Sequence, residues 1–474
     1  RWGFWYGVAA QGLVLYWLTV ALWHFTPLSA LGYLATIAIH GLWSAALFWF
    51  VTRVRLALPA VPLWAAFPVA WTAMEWVLGH QGDIRFPWLG LGTSLAEAPV
   101  LVQWADLAGA RGVSLWVAWC NVLLVEAALG RSDGRTVLLR RLLPLGATVA
   151  LALGYGAWRM RTVPVREVGV VGLIQPNEGF REKWDRAHAD SVVAKLVALS
   201  GRVRELAQPD LIIWPEAAIP GYLFQQRAWD AAIGALARES RTPILTGGLH
   251  AEFHADGSYD YFNAAFFYDS TGDWRRHPVY GKHYLVPIVE RVPFVPPRWF
   301  DLRWFGGFSR GRELPVYETT LGGFGVLVCY ESAFEDLARR YRQRGADFLV
   351  NITNDAWFGR SAAPAQHLAM AAFRAVENRA YLIRAANTGI SAIVTPDGRI
   401  VQASGLFTPA VISGAIFPHV GASFYTRYGD LFAWGTVGIV LVTAIGALAP
   451  IVLLSWSAPR GGMPARGGSS SRPP

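Results

Sequence analysis

The chain has 474 residues, 53% of them hydrophobic, with 23 Trp, 25 Phe and a formal charge of +9. The apolar residues are bunched at the two ends, which excludes an ordinary soluble protein of two or three domains. The basic residues form no patch interleaved with aromatics, so nucleic acid is not an expected partner.

Six windows, near 2–24, 28–51, 60–79, 112–130, 142–158 and 431–456, are apolar over about the 20 residues that a bilayer crossing needs. The predicted layout is a transmembrane bundle over 1–160 (about five spans), a globular domain over 166–420 and a last span at 431–456. Residues 458–474 are Gly, Pro, Ser and Arg with nothing to bury, and are expected to be disordered. If the spans alternate, Arg53, Arg55, Arg131, Arg135, Arg140, Arg141, Arg460, Arg466 and Arg472 share one side. That side is expected to be cytoplasmic, which leaves the 80–111 loop and the domain outside. Arg159, Arg161 and Arg166 oppose this weakly, but a long translocated domain is little constrained by charge. No signal-peptide cleavage site is apparent, and the chain begins at Arg1 rather than Met.

Within 166–420 the elements alternate. Residues 168–177 form a strand ending in a turn, 185–207 have helical apolar spacing, and 210–214 form a strand with Glu216 just past its end. Residues 242–249 suggest a further strand, and 263–277 a strand pair turning at Ser270 to Asp273. "FGVLV" (324–328) runs straight into Cys329, then 333–345 reads as a helix and 347–355 as a strand. One long amphipathic helix is expected over 365–386, followed by a hairpin over 390–401 turning at Asp397-Gly398. The fold class is an α/β layered domain carried on transmembrane helices.

In such sheets, sites gather at the carboxyl ends of strands, where Glu216 and Cys329 both sit. Lys282, in "VYGKHYLVP", follows the 261–280 region. Only two cysteines occur; Cys120 lies in the fourth window and reads as a small buried hydrophobe, which leaves Cys329 as the domain's lone thiol. Singly, each residue has an ordinary explanation: a helix-start carboxylate, a solvated lysine, a buried cysteine. Together they supply a base, a cation and a nucleophile, the parts of an acyl-transfer site. A thiol needs an adjacent base or cation to react at neutral pH. Glu216 can take its proton, and Lys282, with a backbone N–H after Cys329, can stabilise the oxyanion.

"WPEAAIP" (214–220), "YGKHYLVP" (280–287) and "CYES" (329–332), in that order, resemble the Glu, Lys and Cys signatures of the nitrilase (carbon–nitrogen hydrolase) superfamily. "NITNDAWFG" (351–359) and residues 374–400 also match its pattern. Flanked by apolar spans, the arrangement resembles the apolipoprotein N-acyltransferase family of bacterial inner membranes, as do "KWD" (183–185), "FPWLGLG" (86–92) and "GFSRG" (307–311). The resemblance implies a four-layer α–β–β–α domain on the periplasmic side of a multi-pass bundle in the inner membrane. It implies ping-pong transfer of an acyl chain from a phospholipid, through a Cys329 thioester, to the N-terminal amine of a diacylglyceryl-cysteine apolipoprotein. No metal or other cofactor is implied, and a monomer is expected. The family also implies supporting roles for Glu290 and Glu331, and a substrate path lined by Tyr330 and Trp184, to which Trp304, Phe305 and Trp357 are expected to contribute. Two departures stand out. Ile288-Val289-Glu290 replaces the family's usual Phe-Gly-Glu, and the first window resembles the family's third span, so a fragment is expected. The alternatives are a membrane-anchored amide hydrolase and an inactive lipid- or lipoprotein-binding module.

Other signals are weaker. "GFSRG" has the G-x-S-x-G spacing of a serine nucleophile elbow but lacks the strand before and the helix after. His250 and His254 are four apart with no third ligand nearby. The aromatic stretch 291–308, with Trp304 and Phe305, reads as an arm dipping into lipid with Arg298 and Arg303 at headgroup level. Residues 221–229 suggest a second such arm.

Overall fold

The computed structural model describes residues 1–23, 29–88, 90–130, 135–163, 168–179, 187–294, 307–418 and 421–457. Trp184, Trp304, Phe305, most of the aromatic arm and the 458–474 tail lie outside the described residues.

The N-terminal part is helical: α1 (Trp2–Val14), α2 (Trp17–Trp23), α3 (Ser29–Ala57), α4 (Leu63–Leu78), the short α5 (Pro99–Val102), α6 (Ala105–Leu129) and α7 (Arg135–Thr162). Among the described residues, two stretches, Ala30–Ala57 and Ala105–Leu129, are long and apolar enough to cross a membrane by length and composition. The first apolar window is not one helix. It breaks at Leu15-Tyr16, because Leu15 and Trp17 turn away to join the core of the α/β domain. Helices α1 and α3 pack closely through small residues. A Cβ on Gly7 would lie 2.5 Å from Ser44 Oγ and 2.9 Å from Gly41 Cα, so glycine lets the two backbones approach. Many large apolar side chains point outward, among them Trp2, Leu42, Leu56, Leu129 and Leu151. A water-facing surface of this kind would be costly.

The α/β domain holds two six-stranded sheets. Its strands are β1 (Gly169–Gln175), β2 (Leu211–Ile213), β3 (Ile244–Phe253), β4 (Tyr259–Tyr268), β5 (Tyr280–Gly281), β6 (Tyr317–Thr319), β7 (Gly322–Val328), β8 (Phe348–Thr353), β9 (Leu382–Ala386), β10 (Ala392–Val394), β11 (Ile400–Ala403) and β12 (Ala410–Ile416). One sheet runs β12-β1-β2-β3-β4-β5 and the other β11-β10-β9-β8-β7-β6. Helices α8 (Ala189–Ala207) and α9 (Arg227–Ser240) accompany the first sheet, and α10 (Glu335–Gln343) and α11 (Ala363–Asn378) the second. After β12 the chain forms α12 (Phe424–Tyr428) and α13 (Leu431–Ser457).

Strand alternation explains the layers. Leu211 and Ile213 of β2 join the core shared by the two sheets, where Phe267 meets Phe324 edge-on at 5.6 Å. Ile212 and Trp214 face the opposite way, into the apolar stripes of α8 and α9. The layering is α–β–β–α.

Two sequence expectations need correction. The strand pair does not turn at Ser270 to Asp273: β4 pairs antiparallel with β3, and the Gly257 turn (φ +81°) joins them. Residues 269–273 form a loop in which Asp269 accepts bonds from Thr271. The long helix over 365–386 stops at Asn378, where Arg379 takes a left-handed φ of +48°. Residues 382–386 then pair with β8 and β10 as an interior strand. The apolar spacing of 380–386 suits a buried strand as well as a helix, and periodicity alone does not separate them.

The domain sits on one end of the helical part. Trp17 packs on Trp88 (4.7 Å) and Phe358 (5.0 Å), and Gln366 Nε2 donates to the Val14 carbonyl. Arg379 Nε and Nη2 reach Asp106 Oδ2 at 3.0 and 2.8 Å, and Arg111 Nη2 reaches Glu335 at 2.8 Å.

Candidate active site

Three candidate residues come from separate elements. Glu216 follows β2, Lys282 follows β5, and Cys329 begins a tight helical turn, Cys329–Ala333, directly after β7. All three are buried. Lys282 Nζ lies 2.8 Å from Glu290 Oε1 and 3.4 Å from Glu216 Oε1, so one ammonium is shared by two carboxylates. Asn263, on β4, donates its amide to both, at 2.7 Å to Glu216 and 3.0 Å to Glu290. The remaining oxygen of Glu216 accepts from the Asn354 backbone N–H at 2.8 Å, and that of Glu290 from Val286 N–H at 2.8 Å. Buried charges persist when paired and hydrogen-bonded in this way.

Local backbone makes the convergence feasible. Gly247 of β3 lies against the turn that carries Glu216. A Cβ there would come within 2.6 Å of Ala217 N and 2.7 Å of Glu216 Cα. Ala217 and Cys329 both take left-handed φ, +48° and +52°, uncommon for residues with a Cβ. Ile288 does too, at +71°, in the segment that departs from the family's usual Phe-Gly-Glu.

Glu331 does not join the Lys282 cluster but ties the turn together from below. Its Oε2 accepts from Val328 N–H (2.6 Å) and Tyr280 OH (2.7 Å), and its Oε1 from the N–H groups of His283 (2.6 Å) and Tyr284 (3.0 Å). One carboxylate thus joins the Cys329 turn to the residues after Lys282. The Tyr330 side chain leans toward the helical part, its hydroxyl donating to the Arg85 carbonyl at 2.9 Å and its ring stacked near Phe86 and Trp88. Trp357 is half-buried in the turn Asp355–Phe358.

Burial pushes the Cys329 thiol well above its usual range, Glu216 adds to this, and Lys282 only partly opposes it. The resting cysteine is a thiol rather than a thiolate. Lys282 is desolvated by burial, yet Glu290 and Glu216 more than offset that and hold it protonated. Burial pushes Glu331 up to about 7, against the donors from Val328, Tyr280 and Tyr284 and the charge of Lys282.

Sequence reasoning missed Asn263, Asn354, Asp355, His367 and Arg384. The signals were present: a polar Asn inside the apolar "YFNAAFF", and an arginine inside the apolar "YLIRAA". Among the described residues, no group of three His, Cys, Asp or Glu is disposed to hold a metal.

The Carbon-nitrogen hydrolase family pattern matches residues 168–423, and that of the Apolipoprotein N-acyltransferase N-terminal domain matches 1–123. The chain is 35% identical to the apolipoprotein N-acyltransferase of Geobacter metallireducens, over 94% of this chain and 86% of that protein. It is 28% identical to the one from Chlorobaculum tepidum, over 92% of this chain and 86% of that protein. A solved amidase from Nesterenkonia sp. is 19% identical with a TM-score of 0.41, covering 56% of this chain and 95% of that chain. With both family patterns present in order, and identity sustained across nearly its whole length, this chain belongs to the apolipoprotein N-acyltransferase family, on a nitrilase-like α/β fold.

Proposed function

We propose that Glu216, Lys282 and Cys329 carry the N-acyltransferase activity of this enzyme, moving an acyl chain from a phospholipid to the N-terminal amine of a diacylglyceryl-cysteine apolipoprotein. The observation that carries this reading is the shared burial of a carboxylate, an ammonium and a thiol at strand ends, with Glu290 and Asn263 holding them in register. In the first half-reaction, Cys329 Sγ attacks the ester carbonyl as its proton passes to Glu216. Lys282 Nζ and the Tyr330 backbone N–H stabilise the oxyanion. The C–O bond then breaks, and the departing alkoxide of the lysophospholipid takes the proton from Glu216. In the second, the lipoprotein amine attacks the thioester and gives a proton to Glu216, and the C–S bond breaks. The departing Cys329 sulfur recovers that proton. A thiol that is protonated at rest suits this cycle, since proton transfer then accompanies attack. Water in place of the amine would give hydrolysis, which the family does not favour.

The membrane arrangement belongs to the same proposal. The helices 1–160 and 431–456 span the inner membrane, and the 166–420 domain lies on the periplasmic side. Supporting this, Arg53 and Arg55 lie at the C-terminal end of α3, whereas the acidic Asp106 and Asp430 lie at helix ends near the domain; Arg159, paired with Asp106, stays the weak opposing charge.

The test is mass spectrometry of the purified enzyme after exposure to phospholipid. An acyl mass should appear on the Cys329 peptide, be released by neutral hydroxylamine, and move to an added diacylated lipopeptide. Cys329→Ala should carry none. Acylation of the lipopeptide while Cys329 stays unmodified would overturn the covalent route.

A further inference from the structure

Around the Cys329 carbonyl lies a fully buried polar group that the acyl-transfer steps do not use: Ser332, Asn351, Asp355, His367 and Arg384. They come from the Cys329–Ala333 turn, β8, the turn after β8, α11 and β9. Three of them converge on a single acceptor, the Cys329 carbonyl oxygen. His367 Nε2 lies 3.0 Å from it, Ser332 Oγ 3.1 Å and Asn351 Nδ2 3.4 Å.

The His367 ring is held on both edges. Nε2 lies 3.0 Å from the Cys329 carbonyl, which only accepts, and 2.9 Å from Ser332 Oγ. Nδ1 lies 3.0 Å from Arg384 Nη2 and 3.2 Å from Asp355 Oδ1. Arg384 Nη2 also donates to Asp355 Oδ2 at 2.7 Å. Arg384 Nη1 donates to Asn351 Oδ1, and Asp355 Oδ1 accepts from Thr353 Oγ1 at 2.9 Å. The network therefore fixes the imidazole with Nε2 against the Cys329 carbonyl.

That carbonyl belongs to the same planar peptide as the Tyr330 N–H. None of the described peptide bonds is cis, so the two groups point in opposite directions. Holding the oxygen from behind aims the N–H forward. The Cys329 φ of +52° is a conformation a cysteine seldom adopts unaided, so the peptide needs such a hold. We propose that His367, fixed by Asp355 and Arg384, is a positioning residue that clamps the Cys329–Tyr330 peptide and points the Tyr330 N–H at the oxyanion. This rests on the reading of Cys329 as the nucleophile.

The experiment separates the two by comparing two reactions of the same sulfur in the full-length enzyme. Acylation by phospholipid passes through an oxyanion, whereas alkylation by iodoacetamide does not. Losing an oxyanion donor costs about 10²–10³ in rate. In His367→Leu, the rate of thioester formation should fall by about that factor, with the KM for phospholipid and the alkylation rate unchanged. His367→Gln, whose amide N–H can reach the same carbonyl, should recover most of the loss. Equal slowing of alkylation and acylation would mean that the network only holds the fold, and would overturn the clamp. So would wild-type acylation rates in His367→Leu. If the wild-type enzyme takes no acyl chain at Cys329 at all, it is the nucleophile assignment that fails.

Discussion

At the residue scale, the informative group is Glu331. It accepts four hydrogen bonds and donates none, which suits an ionised carboxylate, yet burial pushes its pKa up to about 7. A carboxyl with a folded pKa above its unfolded value of about 4.3 adds stability that is complete at lower pH and lost as pH rises through the folded value. The window here runs from about pH 4 to 7. The melting temperature of the wild type, relative to Glu331→Gln, should therefore fall between pH 4 and 8 in detergent solution. A flat difference would mean that Glu331 does not titrate there. The same substitution turns an amide N–H toward at least one backbone N–H, which only donates. Thioester formation should therefore drop even where the protein stays folded, which the acylation rate at constant pH measures.

At the element scale, the site depends on how closely strands and turns approach. β3 runs beside the Glu216 turn with no room for a side chain at Gly247, and the three atoms nearest a Cβ there, Ala217 N, Glu216 Cα and Pro215 O, are all backbone. Gly247→Ala should destabilise the domain by about 1–3 kcal/mol. It should also slow acylation at least tenfold by displacing the carboxylate, about the effect of a small misplacement at a reacting centre. Unchanged acylation kinetics would mean that the Glu216 turn can retreat intact. Elements also mark where sequence reading succeeded and failed. β1, β2, β7 and β8 were legible because short apolar runs there end at Gly, Pro or polar residues. The end of α11 was not. No Gly or Pro stands at 379; Arg379 occupies the left-handed position, its guanidinium held by Asp106 and Gln103 some 270 residues away.

At the scale of the whole molecule, that same guanidinium joins the domain to the helices. Asp106 accepts from Arg379, Arg159 and Tyr155, and the cluster is largely buried. Asp106→Ala would leave two cations without their carboxylate, at a cost of about 3–5 kcal/mol. The enzyme should melt earlier, and Arg379→Met added to that variant should restore part of the loss. Additive losses would mean that the pair is not coupled. The orientation of the bundle is tested separately. A reporter fused at Ser132 should face the cytoplasm, and one inserted within 166–420 should not. Both on one side would overturn the span assignment.

The sequence by itself determined the class of protein, the order of most strands and helices, and the identity of the Glu, Lys and Cys motifs. These are written locally, in apolar periodicity, in turn residues and in the polar residues just past each strand. Tertiary structure alone decided that Lys282 lies between Glu216 and Glu290, that Asn263 bridges the two carboxylates, and that His367 stands against the Cys329 carbonyl. It also decided the break at Leu15 and the raised pKa of the thiol. Hydrogen bonds between residues far apart in the chain, and the cost of taking charge out of water, depend on which surfaces the folded chain brings into contact. No local pattern records that.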